Sequence, residues 1–294
     1  LNMAALICPL LPKVIWIFWM QGEKAAPELV KHCIASWRNR NRGWRTIVLD
    51  QSNYEQYIEV GISRDDFSLL GIPMRSDLLR LALLERYGGV WADATTLCWR
   101  PLDQFIHAYV SASGFFAFSR SQGERILSSW FLAAMPHHPI VRRWRLHLCQ
   151  YFHAYPPRWQ YSSASRICHK FCRELFKLHP LLTLLWLQPA VIRFSGQYPY
   201  FLLHYLFASI ILSEKEVKEL WSLTPKIGNA PCKTLSKIAL KSAPSMQKAK
   251  EMLDHSSYLF KLSHKSKSLQ AAKSGTWLEF VFSCVEEAES GDLV

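Results

Sequence analysis

The chain has 294 residues, half of them hydrophobic and a fifth charged, with a formal net charge of +12. That length is enough to bury one large core or two smaller ones, and the composition excludes wholesale disorder. The basic surplus suits anionic lipid or phosphorylated substrates; no nucleic-acid-binding module and no zinc-finger spacing accompanies it, so nucleic acid is set aside as a partner.

The opening "LNMAALICPLLP" is apolar but short and has no charged lead-in, which reads as a signal remnant or as a loose or packed start. "KVIWIFW" (13–19), β-branched and aromatic between Pro12 and Gly22, predicts a buried strand. "PELVKHCIASWRNRN" (27–41) predicts a helix, with Pro27 in its first turn and Leu29, Val30, Cys33, Ile34 and Trp37 on one stripe. "WRTIVLD" (44–50) predicts the next strand, and strand–helix–strand suggests a parallel α/β unit. "PMRSDLLRLALLERYGG" (73–89) predicts a leucine-rich helix that Gly88 ends as a left-handed cap. Short strands follow at 90–92 and 115–119, and from about 124 onward the pattern is mainly helical, with loops at "PHHP" and "YPPRW". The most apolar run, "LLTLLWL" (181–187) between Pro180 and Pro189, falls short of the ~18 residues of a spanning helix and suits a buried or interfacial segment. Residues 12–285 are expected to form a single domain, with a ligand-binding part over 12–120, a mainly helical part over 121–285, and loose termini at 1–11 and 286–294.

Eight scattered cysteines lack the density of a disulfide scaffold and point to reduced thiols in a cytosolic compartment. Cys168, His169 and Cys172 have no second ligand pair at a fitting distance and read as helix surface and core.

The stretch "ERYGGVWADATTLCWRPL" (85–102) carries the chemistry. A strand that ends in an aspartate places its carboxylate at the carboxyl edge of a sheet, where ligands bind in open α/β folds. Gly88 and Gly89 allow a sharp passage from helix to strand and a close approach of backbone. Asp93 there can hold a divalent ion beside a diphosphate or accept bonds from ribose; its alternative role is to cap a turn. Asp77 and Arg80, three residues apart, share one helical face, and either converge on Asp93 or form an ion pair on a solvated face.

"RSDLLRLALLERYGGVWADATTL" (75–97) resembles the signature of DXD-type glycosyltransferases of the GT-A fold, most closely the bacterial capsular polysaccharide synthesis protein family. It is also similar to the family of yeast-type mannosyltransferases and to the glucosylating domains of large clostridial toxins. "LPKVIWIFWMQG" resembles the family's first nucleotide-binding strand, "SSWFLAAMPHHPIVRRW" its acceptor-side segment, and "YPYFLLHYLF" and "YLFKLSHK" its later blocks. The resemblance implies an α/β fold, a Rossmann-like mixed sheet flanked by helices. It implies a retaining transfer from a UDP- or GDP-sugar to a polysaccharide or lipid-linked glycan in capsule or lipopolysaccharide biosynthesis. Asp77 would contact the donor sugar, Arg80 the sugar or diphosphate, and Asp93 the ribose and a metal. Trp16 or Trp19 would stack on the base, and Lys261 or Lys265 would meet the diphosphate.

Where the motif has its second carboxylate, this chain has Thr95, a neutral and weaker ligand for Mn²⁺ or Mg²⁺; His264 is an alternative donor. That departure also motivates a non-catalytic nucleotide-sugar or glycan binder, and the toxin-like "SDLLR" motivates an effector that glycosylates a protein. The basic, aromatic-rich stretch 140–210 suits either an anionic membrane surface or a solvated helix packed on the core, and the chain is expected in the cytoplasm or at the inner face of the plasma membrane.

Overall fold

The computed structural model describes residues 10–120, 125–157, 163–176, 180–263 and 274–290. Its strands are β1 (Val14–Phe18), β2 (Arg45–Leu49), β3 (Gly89–Ala92), β4 (Thr96–Cys98), β5 (Phe115–Ser119), β6 (Leu127–Ala134) and β7 (Leu259–Lys261). Its helices are α1 (Glu28–Arg40), α2 (Arg64–Leu69), α3 (Ile72–Tyr87), α4 (Ile106–Val110), α5 (Pro139–Ala154), α6 (Ser163–Phe176), α7 (Pro189–Ser195), α8 (Leu202–Ser213), α9 (Lys215–Leu223), α10 (Thr234–Ile238), α11 (Met246–Asp254) and α12 (Trp277–Ser290).

Five strands form one mixed sheet in the order β2-β1-β3-β6-β5, and β4 pairs with β7 in a separate ribbon. β1 runs parallel to both β2 and β3, whereas β6 is antiparallel to β3 and β5. The carboxyl ends of β1, β2, β3 and β5 therefore lie along one edge, together with the start of β6.

Helices cover both faces, as the mixed α/β reading expects. Ile15, Ile17, Val90, Ala92, Phe116 and Phe131 point toward α1 and α12. Trp16, Phe18, Trp91, Phe115 and Leu132 point toward α3, α5 and α8. The alternation along β1 splits its side chains between two cores, which is why its sequence is apolar at every position.

α3 is apolar around most of its circumference because it is enclosed. Leu78, Leu79, Leu81, Leu83 and Leu84 are all fully buried, each worth about 1.5–3 kcal/mol of transfer free energy. The helix stops at Gly88, whose φ of 64° and ψ of −154° lie in the region open essentially to glycine, rather than in the left-handed helical cap expected from sequence. A side chain there would sit 2.7 Å from Pro136 N and 2.8 Å from Ala134 O. At Gly89 it would sit 2.5 Å from Val14 O. Gly88 thus lets the chain pass close to the end of β6, and Gly89 lets β3 lie directly against β1.

The expected helical stretch beyond residue 124 begins instead with the eight-residue strand β6. It is buried between β3 and β5, so it needs no polar alternation, and the pattern that marks a half-exposed strand is missing. The three-residue strands β4 and β7 are likewise absent from the sequence reading; they are too short to show a period.

Candidate functional site

Asp93 leaves β3 at the carboxyl edge of the sheet, on the same face as Trp91, whose indole N–H donates to its Oδ1 at 3.1 Å. Arg80, from the middle of α3, donates from Nη2 to the same oxygen at 3.1 Å. Its Nη1 reaches the Ser129 carbonyl of β6 at 3.0 Å and Asp77 Oδ1 at 3.2 Å. The guanidinium also lies 5.2 Å from the centre of the Trp91 ring. Its side chain is only 5 % exposed, so packing fixes its position before any ligand arrives.

Lys261 approaches from the other side. β7 pairs with β4 so that Lys261 stands opposite Thr96, and Leu262 N donates to Thr95 O at 2.9 Å. Its ammonium donates to Asp93 Oδ2 at 3.0 Å and to Thr95 Oγ1 at 2.7 Å. Asp77, Arg80, Asp93, Thr95 and Lys261 are therefore brought together by α3, the β3–β4 turn and β7.

The two carboxylates of the group respond in opposite ways. Burial alone would push Asp93 up; the Lys261 and Arg80 charges and the Trp91 N–H outweigh it and hold the carboxyl down at about 2. Burial pushes Asp77 up to about 7, because Arg80 offsets only part of it and the Asp93 charge adds to the rise. One carboxylate is thus fixed as an anion, and its neighbour can carry a proton near neutrality.

Positive charge continues along the edge. Arg120 follows β5, Arg125 precedes β6, and Lys233 stands beyond α9. Burial and the Arg120, Arg125 and Lys237 charges lower the Lys233 pKa. His204 of α8 is buried and its Nδ1 has no hydrogen-bond partner. Burial, then the Arg125, Arg80 and Arg120 charges, hold its pKa well below the usual histidine value, so it is neutral. None of Arg120, Arg125, Lys233 or His204 stands out in the sequence. Arg120 has the one legible signal, a cation directly after an apolar strand.

The two tryptophan candidates part here. Trp16 is sealed in the core at 3 % exposure, its indole N–H bonded to Gly88 O at 3.0 Å and its ring against Tyr57 and Tyr87. A nucleotide base could stack on it only by opening the sheet–helix interface, so that expectation is corrected. Trp19 lies just past β1, half-buried, and the register Trp16↔Trp91 puts it one residue beyond the level of Asp93. Lys265 and His264 lie outside the described residues.

A divalent ion at this edge would draw on Asp93 and Thr95. Both already receive the Lys261 ammonium, and among the described residues no three His, Cys, Asp or Glu side chains converge to hold a metal. A doubly charged ion about 3 Å from an ammonium meets repulsion on the order of 10 kcal/mol at an effective dielectric near 20. One carboxylate and one hydroxyl, both occupied by a cation, do not fit a divalent metal.

The family model described as capsular polysaccharide synthesis protein matches residues 9–177. The O-glycosyltransferase braB of Annulohypoxylon truncatum is 27 % identical over 152 residues, covering 45 % of this chain and 36 % of that protein. The glycosyltransferase afumC of Aspergillus fumigatus is 30 % identical over 152 residues, covering 44 % of this chain and 38 % of that protein. The chain thus spans little more than a third of the length of these curated relatives. Among solved structures, the PaToxG glycosyltransferase aligns with a TM-score of 0.40 at 12 % identity, over 84 % of this chain and 86 % of that one. With more than half of its length matched, from β1 through α6, the chain belongs to the capsular polysaccharide synthesis protein family, and the match stops short of β7 and its lysine.

Proposed function

We propose that this chain is a glycosyltransferase that moves a sugar from a UDP- or GDP-sugar to a polysaccharide or lipid-linked glycan, with retention at the anomeric carbon. The observation that carries this reading is a single ordered carboxylate, Asp93, held between Arg80 and Lys261 at the carboxyl edge of the sheet. The names of the relatives braB and afumC point to the same reaction class.

In this reading the diphosphate lies against Lys261 and Arg80, and Asp93 accepts hydrogen bonds from the ribose. Asp77 meets a hydroxyl of the donor sugar, and Trp19 offers its ring to the base. The bond from the anomeric carbon to the phosphate oxygen breaks, and its electron pair stays on that oxygen. Preorganised cations stabilise the growing charge without reorganising at the moment of reaction. The acceptor hydroxyl attacks from the same face and passes its proton to the departing phosphate oxygen, so no protein nucleophile is required.

α6 supports a membrane-bound acceptor. Ile167, Phe171 and Leu175, spaced four apart, are 75 %, 62 % and 41 % exposed, beside Lys170 and Arg173. No helix among the described residues is long and apolar enough to cross a membrane. Flotation with anionic liposomes is expected to carry the protein upward, and serine at these three positions to leave it in the soluble fraction. Protein that never floats removes the membrane part of the reading.

The direct test of activity is a panel of UDP- and GDP-sugars with candidate glycan acceptors, followed by release of nucleoside diphosphate. Release from one donor, lost in Asp93→Asn, is the expected result. Donor binding without turnover under any acceptor would convert the reading to that of a non-catalytic binder.

A further inference from the structure

We propose that Lys261 takes the place of the divalent metal, so that this chain binds its nucleoside diphosphate group without a metal ion; the inference rests on the donor-site reading above.

The ammonium occupies the space a metal would need. It sits 3.0 Å from Asp93 Oδ2 and 2.7 Å from Thr95 Oγ1, the two side chains at the metal-bearing positions of the motif. An ammonium has three N–H donors, and these two oxygens take two of them. The third is left for a ligand oxygen. Its backbone is fixed, because β7 is paired with β4 and Leu262 N is bonded to Thr95 O. Lys261 is thus preorganised as a metal ligand shell is, not a mobile surface cation.

Charge explains why Thr95 accompanies the lysine. With Arg80 and Lys261 on either side, Asp93 leaves one positive charge over for a diphosphate whenever Asp77, paired with Arg80 and pushed up by burial, carries its proton. A second carboxylate at position 95 would cancel that charge and close the ammonium in an ion-pair cage. A hydroxyl positions the ammonium without neutralising it. The neutral hydroxyl at position 95 and the fixed ammonium at position 261 thus complement each other, a cation standing where a metal would. Asp77 does not reopen the site to a metal, since it faces Arg80 on α3.

The test is calorimetric titration of UDP, GDP and inorganic pyrophosphate into the wild-type chain, in EDTA and again with Mn²⁺, alongside Lys261→Ala and Lys261→Arg. A nucleotide is expected to bind in EDTA with an affinity within roughly twofold of that in Mn²⁺. Lys261→Ala should weaken it in EDTA by about 10- to 100-fold, as expected for a lost charge-assisted hydrogen bond, and Lys261→Arg should recover part of the loss. Electron paramagnetic resonance of Mn²⁺ mixed with the ligand-free protein should show only the free aquo ion. Binding that requires Mn²⁺, a protein-bound Mn²⁺ signal, or undiminished binding by a folded Lys261→Ala in EDTA would each overturn the proposal and leave the transferase reading intact. If Lys261→Ala fails to fold, the wild-type titrations and the Mn²⁺ spectrum still decide. Absence of binding by all three probes with and without Mn²⁺ would instead overturn the donor-site reading, and this proposal with it.

Discussion

Two aspartates end strands at the same edge of the sheet, and they live differently. Asp50 follows β2; its Oδ1 accepts from Ser52 N at 2.7 Å, Ser52 Oγ at 2.6 Å and Asn53 N at 3.1 Å. All of its partners lie within three residues, so it is a turn residue satisfied by its own loop. Asp93 follows β3, and its cationic partners lie 13 and 168 residues away. A carboxylate closed by its own turn is complete. In the proposed reading, a carboxylate held by Lys261, whose ammonium keeps one N–H beyond those given to Asp93 and Thr95, is half of an arrangement whose other half is a ligand. The contrast speaks against the turn-cap role that the sequence left open for Asp93: its side chain accepts from Trp91, Arg80 and Lys261 rather than from the N–H groups of its turn.

The sharpest way to break the comparison is to neutralise each aspartate in turn. Asp93→Asn should lower transfer by roughly 10²–10³-fold, the scale of losing one electrostatic element of a preorganised site. Asp50→Asn should leave turnover within about threefold. Equal losses in a steady-state assay would mean that the edge works as a whole and the distinction is false.

A middle-sized effect concerns Asp77, the buried neighbour pushed up to about 7. A carboxyl raised in the folded state binds a proton that the unfolded chain has already released. Its contribution to stability is full below pH ~4 and is lost as pH rises through about 7. Asp77→Asn removes that loss. It should raise Tm by roughly 2–5 °C at pH 8 and change it little at pH 4. Asp93 behaves in the opposite sense: held at about 2, it stabilises above pH ~4 and its contribution fades as pH falls toward 2. A Tm gain at pH 4 equal to that at pH 8 would refute the assignment to Asp77.

The smallest expected effect is structural. Asp50→Ala removes a local turn cap and should cost about 1 kcal/mol in denaturant unfolding, without altering donor affinity.

The first half of the fold is legible in sequence because each element there carries its own local signal. β1, β2, α1 and α3 lie within a residue or two of the segments marked by Pro12, Pro27, Gly22 and Gly88. The carboxylates and Arg80 are legible for the same reason, since helical spacing and a strand terminus are short-range facts. β6 is not legible, because a strand buried on both faces shows no alternation. The Lys261 contact is not legible from residue pattern either. It depends on pairing β7 with β4 across more than 160 residues, and only the family resemblance singles that lysine out. His204 sits in an apolar block where helical spacing reads as core, and its nearness to three arginines is a tertiary fact. That Trp16 is sealed in the core needed the sheet as well, for Trp16 faces the α3 side while Trp19, just past β1, packs on the α1 side.

The β4–β7 ribbon also fixes an order of events during synthesis. At ~5–20 residues per second, a ribosome takes about 10–30 s to travel from Asp93 to Lys261. Through that interval the sheet's first strands, α3 and the paired Arg80 can already be in place, while Asp93 has only one of its two cations. A fragment ending before β7 would carry the motif and all five strands of the main sheet without the lysine, and a stall there would leave Asp93 short of one cation. In the proposed reading, binding competence can arise only after β7 has been made, and it reports that the ribbon joining the two halves has closed.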